Sequence, residues 1–332
     1  MADNNIHEAA LIINNGGLVA FPTETVYGLG ANALNPFAVA KIFELKERPS
    51  FDPLIVHIAS FDDLARLTEN ISEDAMQLAK HFWPGPLTLV LPKSEIVPDI
   101  VTSGLQTVGI RMPDNPVALD LIKESGCPIA APSANKFGQL SPVSASHVKK
   151  QLPGVDYVLD GGKTSVGIES TIVAIDGNQC QLLRPGFITL DDIEKAMPGT
   201  FVFNRSKPDK LVAPGLLKSH YSPKKTLYIL TETHNELPEF SGLILHSKKN
   251  NGQKTASLFY TSQTGNKIEI AANLFAALHT LEEDENVKTI FIEPVEEEGL
   301  GIAIMDRLKK AAYRYNDRSE EHTSELQSPY VI

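Results

Sequence analysis

Short apolar, β-rich runs separated by stretches of helical period recur through the first 195 residues, and this alternation constrains the fold more than any other feature. GLVAF, PLIVHIA, LTLVLP, TVGIRMP and PIAAPS read as strands, and NPFAVAKIFELK, SFDDLARLTEN, SEDAMQLAKHF and NPVALDLIKESG read as helices between them. The pattern predicts an α/β domain. DYVLDGG, STIVAID and QLLRPG then follow one another with little helix between them, so the sheet is expected to be mixed rather than doubly wound and parallel. A short helix, TLDDIEKAM, closes this region with Thr189 as its N-cap.

Residues 199–225 mix Pro, Gly, Ser and Lys with little periodicity and read as a connector after a first domain at 1–198. The pattern restarts at TLYIL, GLILHS, TASLFY and TIFIEPV, with helices EIAANLFAALHTLEE and GIAIMDRLKKAAYRY, giving a small Rossmann-like α/β domain over 226–317. From Arg318 the sequence RSEEHTSELQS breaks these patterns and resembles the in-frame translation of a common sequencing-library adapter. Residues 318–332 are therefore expected to be an artefact, with the native C-terminus missing.

With 42% hydrophobic residues in 332, the chain can bury a substantial core. Residues 1–195 carry 14 Lys and Arg against 23 Asp and Glu, which disfavours a direct, tight nucleic-acid grip. No apolar run reaches the roughly 18 residues a membrane span needs, and the N-terminus lacks a signal-peptide pattern, so a cytoplasmic protein is expected. Cys127 and Cys180, far apart and outside any CxxC, are expected to be buried, reduced thiols.

FPTETVYGLGANA contains a formal G-x-G-x-x-A match at Gly28–Ala33. A dinucleotide fingerprint follows its strand directly and places an acid about 20 residues on, at the end of the next strand. Here PTETVY intervenes, and the residue at that distance is Glu47, between Lys46 and Arg48. The glycines instead suggest a tight turn or close backbone approach beside a polar loop bearing Thr23, Glu24, Thr25 and Tyr27.

Lys46 and Arg48 end a helix before Pro49, where cations complement the helix dipole. Phosphate-suited groups nevertheless accumulate at strand ends: Arg111, Ser133, Asn135, Ser141 and Arg184. His57 lies in an apolar run without an HxxxH, HExxH or Cys/His partner, so a protein-ligated metal is not expected. No G-x-S-x-G elbow supports serine-hydrolase chemistry. GGKTSVGIESTIV fits either a hairpin turn or a hydroxyl-rich wall.

Taken in order, FPTETVYGLGANA, KxRP, PLIVHIA, WPGPLTLVL, TVGIRMP, PIAAPSAN, LSP, GIESTIV, LLRPG, APG and HY resemble the threonylcarbamoyl-AMP synthases in their long form, a YrdC-like domain with a C-terminal Rossmann-like domain, from about Ile6 to Arg314. The resemblance implies that L-threonine, bicarbonate (or CO2) and ATP become threonylcarbamoyl-AMP and pyrophosphate. The product would pass to a separate transferase complex that modifies tRNA beside the anticodon. Mg2+ is implied as ATP's companion.

Residue by residue, the resemblance places Thr25, His57, Arg111, Ala131 and Ser170 around L-threonine. It places Lys46, Arg48, Asp52, Thr107, Ser133, Asn135, Ser141, Arg184 and Tyr221 around ATP, with Lys46 and Arg48 as the catalytic pair and the connector as a lid. Two departures stand out. Phe51-Asp52-Pro53-Leu54 has an acid where relatives usually carry an amide, and APGLLKSHYSP lacks the usual Met and aromatic after APG. Two rivals are a non-catalytic YrdC-type RNA-binding or ribosome-associated protein, and a carbamoyl-phosphate-using member of the wider superfamily.

Overall fold

The computed structural model describes residues 2–204, 214, 220–231, 234, 236–248 and 254–325, with side chains described between residues 5 and 313. Two compact units partition the chain: residues 1–137 with 141–216, and residues 138–140 with 217–332.

In the first unit the chain runs through α1 (Ala2–Asn14), β1 (Val19–Phe21), β2 (Gly28–Asn32), α2 (Pro36–Lys46), β3 (Ile55–His57), α3 (Phe61–Leu67), α4 (Glu73–Phe82) and β4 (Leu87–Pro92). It continues through α5 (Asp99–Thr102), β5 (Thr107–Arg111), α6 (Pro116–Ser125), β6 (Ile129–Ala130), α7 (Ala145–Gln151), β7 (Tyr157–Val158), β8 (Thr171–Asp176), β9 (Gln179–Arg184), α8 (Leu190–Ala196) and β10 (Val202–Asn204). Among the described residues the ten strands form one sheet in the order β10-β9-β8-β4-β5-β3-β6-β2-β1-β7. Its pairings are mixed: β1 and β7, β3 and β5, β4 and β8, and β9 and β10 run parallel, while the other neighbours run antiparallel. Burial of alternate faces joins the sheet to the core through Leu29, Val56, Leu89, Ile110 and Val173, all essentially inaccessible to solvent.

Helix starts follow local chemistry. Asn35, Ser60, Ser72, Asn115, Ser144 and Thr189 each accept a backbone N–H at the first turn, and Thr189 with Asp192 completes a capping box.

The sequence reading of Gly28 and Gly30 as a turn needs correcting. Both lie in β2, antiparallel to β1, with Phe21 opposite Gly28 and Val19 opposite Gly30. A Cβ on Gly30 would sit 2.7 Å from the Ile129 side chain and 2.8 Å from the Phe21 ring, so the requirement is close side-chain approach. The hairpin alternative for GGKTSVGIESTIV also fails, since β7 pairs with β1 whereas β8 pairs with β4 and β9. β10 falls within the 199–225 stretch, and residues 205–213 and 215–219 of it lie outside the described residues.

The second unit contains β11 (Thr226–Ile229), β12 (Ser241–Leu245), β13 (Ser257–Tyr260), α9 (Lys267–Glu283), β14 (Thr289–Ile292) and α10 (Leu300–Glu325). Its sheet, ordered β11-β14-β12-β13, is parallel throughout. Asn266 caps α9, which turns Ile270, Leu274, Phe275 and Leu278 inward. The helical backbone of α10 continues through Glu325, into the tail segment, and residues 326–332 lie outside the described residues.

Candidate active site

The C-terminus of α2 sets the first group of side chains. Glu47 adopts φ 54° and ψ 39°, the left-handed conformation, and its N–H bonds back to the Glu44 carbonyl while the Arg48 N–H reaches that of Phe43. This reversal separates Lys46, the last helical residue, from Arg48 just beyond. Glu47 itself is exposed and holds Lys136 at 2.6 Å.

Lys46 is buried and donates to the backbone carbonyls of Ser133, at 2.6 Å, and Asn135. Burial, and then the charge of Arg48, hold its ammonium well below the ordinary lysine range. Arg48 donates from Nε to the Asp52 carbonyl (3.1 Å) and from Nη2 to that of Pro53 (2.9 Å), and Nη2 lies 2.9 Å from the Asp52 carboxylate. Burial pushes the Asp52 carboxyl up from its ordinary value, against the pull of Arg48, Lys46 and Arg184. Three cations therefore act on one buried carboxylate.

Arg184, at the end of β9, donates from Nε to the Ser170 carbonyl (3.0 Å) and from Nη2 to its hydroxyl (3.1 Å). Ser170 also meets the Thr88 hydroxyl at 2.8 Å. Gly186 packs directly on the backbone of residues 170 and 171, where a Cβ would lie 2.3 Å from the Thr171 nitrogen.

A second group gathers where β3 and β5 run side by side, with His57 in register with Arg111. Arg111 donates from Nη1 to the Thr25 hydroxyl (2.9 Å) and from Nε to the Gly85 carbonyl (3.3 Å), and Nη2 lies 2.6 Å from Glu24 Oε1. His57 stands edge-on to Phe21 with its Nδ1 buried and without a hydrogen-bond partner. Burial, reinforced by the Arg111 charge, lowers its pKa to about 3, so the imidazole is neutral.

The loop 131–135 serves both groups. Ala131 donates to the Ile55 carbonyl at 2.9 Å beside His57, while Ser133 and Asn135 supply the carbonyls that receive Lys46. Ser141 donates to the buried carboxylate of Glu169. Pro53, Ile55, Thr88, Thr107 and Ile172 are among the residues lining a small cleft in the first unit. Tyr221 belongs to the second unit, where its buried ring packs against Phe275 (5.6 Å between centroids) and beneath the Arg307 guanidinium (5.6 Å).

Residues 11–186 match the family model Sua5_yciO_yrdC, described as "Telomere recombination", and residues 188–313 match one described as "Threonylcarbamoyl-AMP synthase, C-terminal domain". A threonylcarbamoyl-AMP synthase of Pyrococcus abyssi is 45% identical, covering 92% of this chain and 94% of its own length. One of Bacillus subtilis is 43% identical over 93% of each.

The chain belongs to the threonylcarbamoyl-AMP synthase family.

The crystal structure of P. abyssi Sua5 complexed with L-threonine superposes with a TM-score of 0.83 at 43% identity, covering 93% of this chain and 94% of that one. Family membership and fold thus agree with the mixed sheet and the second, parallel-sheet unit. In the first unit of this family member, Lys46, Arg48, Asp52, Ser133, Asn135 and Arg184 form one electrostatically linked set that includes Ser170 through Arg184, and Thr25, His57 and Arg111 a second, with the 131–135 loop reaching both. Sequence reasoning noted Glu24 in the polar PTET loop and Glu169 in GIESTIV without pairing either to Arg111 or Ser141, and did not single out Thr88. The signal for Glu24 was present in PTET, where a carboxylate between two threonines follows a wholly buried strand.

Proposed function

We propose that this chain is an L-threonylcarbamoyladenylate synthase, a nucleotidyltransferase that converts L-threonine, bicarbonate or CO2, and ATP into threonylcarbamoyl-AMP and pyrophosphate. Its product would supply a separate tRNA-modifying transferase complex. The observation that carries this reading is Arg184, which holds Ser170 by two hydrogen bonds and at the same time acts on Asp52 beside Lys46 and Arg48. In this reading Arg184 would stand between an amino-acid pocket and a triphosphate pocket.

The reaction needs an N-carboxylate, formed from the threonine amine and CO2, to attack the α-phosphorus in line and expel pyrophosphate. Positioning and charge neutralisation account for most of such a step. Arg111 takes the threonine carboxylate, and neutral His57, in register beside it, lines the amino-acid side of the site. Lys46, Arg48 and Arg184 neutralise the phosphates, and Ser133, Asn135, Ser141 and Thr107 complete the nucleotide's walls.

Among the described residues no group of three or more His, Cys, Asp or Glu side chains gathers, and the Asp52 carboxylate is engaged by Arg48. We infer that Mg2+ enters with ATP as part of the substrate. No helix among the described residues is long and apolar enough to cross a membrane.

The test is pyrophosphate release from ATP and Mg2+, with each co-substrate omitted in turn. Release that needs both L-threonine and bicarbonate supports the synthase, and release indifferent to either contradicts it.

A further inference from the structure

Glu24 and Arg111 form an ion pair, 2.6 Å between Oε1 and Nη2, with side chains 5% and 4% exposed. The pair is left incomplete on both sides. Both Glu24 carboxylate oxygens are buried and have no hydrogen-bond partner. A guanidinium has five N–H donors, of which Arg111 gives one to Gly85 and one to Thr25, while Nη2 faces Glu24 as an ion pair without a hydrogen bond, leaving three. Two carboxylate oxygens and three N–H donors lie without hydrogen bonds on one buried, net-neutral pair.

Leaving such groups unmet costs free energy, and the loop around Glu24 is held in place while they remain so. Thr23 Oγ1 donates to the Val26 carbonyl at 2.6 Å and receives the N–H groups of Thr25 and Val26, while the Glu24 carbonyl accepts Val166 N–H at 2.7 Å.

We propose that Glu24 anchors the α-ammonium of the substrate, so that Glu24 and Arg111 together recognise a zwitterion; this rests on the amino-acid reading of the pocket. The ligand's ammonium meets Oε2 and its carboxylate meets the remaining Arg111 donors. Before binding, the two protein charges satisfy each other, which keeps the empty pocket from burying an uncompensated charge. A carboxylic acid without the amine would set its anion beside Glu24 with nothing to offset it. The pair therefore selects amino acids over hydroxy acids, and Glu24 is a specificity-determining residue.

The experiment is calorimetric titration of the full chain with L-threonine and with 3-hydroxybutyrate, the same skeleton without the amine, on the wild type and on Glu24→Gln, whose folding is checked by thermal melting. The wild type is expected to favour L-threonine by tenfold or more, about one 1.4 kcal/mol step. Glu24→Gln is expected to lose L-threonine affinity by a similar factor while 3-hydroxybutyrate binding stays level or improves.

Equal wild-type affinity for the two ligands overturns the proposal without any variant, as does equal loss of both in Glu24→Gln, which would make Glu24 only a structural counter-ion. Absence of any L-threonine binding by the wild type would instead remove the amino-acid reading itself, and the proposal with it.

Discussion

Arg48 and Asp52 are locked to each other: the guanidinium holds both the side-chain carboxylate, at 2.9 Å, and the main-chain carbonyl, at 3.1 Å, of the same aspartate. The carboxylate competes with any phosphate for Arg48. Asp52→Asn removes the competing charge but keeps a carbonyl oxygen for the guanidinium. We expect MgATP to bind about tenfold more tightly by calorimetry, while the loss of a buried ion-pair partner lowers folding stability by about 3–5 kcal/mol. Weaker MgATP binding would show that the carboxylate aids the nucleotide.

Arg48→Lys separates charge from geometry. Lysine keeps the positive charge but cannot reach the Asp52 carbonyl, the Asp52 carboxylate and the Pro53 carbonyl together. Turnover is expected to fall about a hundredfold, on the scale of one lost transition-state donor, with a much smaller change in melting temperature. Unchanged turnover would mean that a point charge suffices there.

His57 gives the fold an acid limit. Its pKa is about 3 in the folded protein against 6.5 in the unfolded chain. Between those values the unfolded state binds more protons, so the stability contribution is complete above pH 6.5 and is lost as pH falls toward 3. From pH 6.5 to 4.5 the loss from this residue is roughly 2 kcal/mol. Urea midpoints at pH 7 and 4.5 should therefore fall more for the wild type than for His57→Gln. Parallel declines would assign the acid sensitivity elsewhere.

Gly30→Ala tests the packing between β1, β2 and β6. The added methyl would meet Ile129 and Phe21 at under 3 Å, and both neighbours are fully buried. Overpacking of this kind costs about 1–3 kcal/mol by denaturant titration. A neutral effect would mean that the Phe21 ring moves freely.

Much of the architecture was legible because periodicity reports burial directly. PLIVHIA and TVGIRMP became β3 and β5, and the closely spaced strands after residue 156 signalled the mixed sheet. GLGANA misled because glycine serves both turns and crowded strands, and only the neighbours Phe21 and Ile129 decide between them. The site residues were visible as types, Lys46 and Arg48 above all. What lay hidden was pairing at long sequence distance: Arg111 with Glu24 across 87 positions' worth of chain between β1 and β5 has no local pattern. Likewise the left-handed Glu47 that parts Lys46 from Arg48 occurs at a non-glycine residue, so composition gave no hint of it.

The most direct test of the synthase reading is mass spectrometry of the adenylate formed from ATP, L-threonine and carbon-13 bicarbonate. The account predicts a threonylcarbamoyl-AMP that carries the label in its carbamoyl carbon. An adenylate without threonine, or a threonylcarbamoyl-AMP without the label, would contradict it.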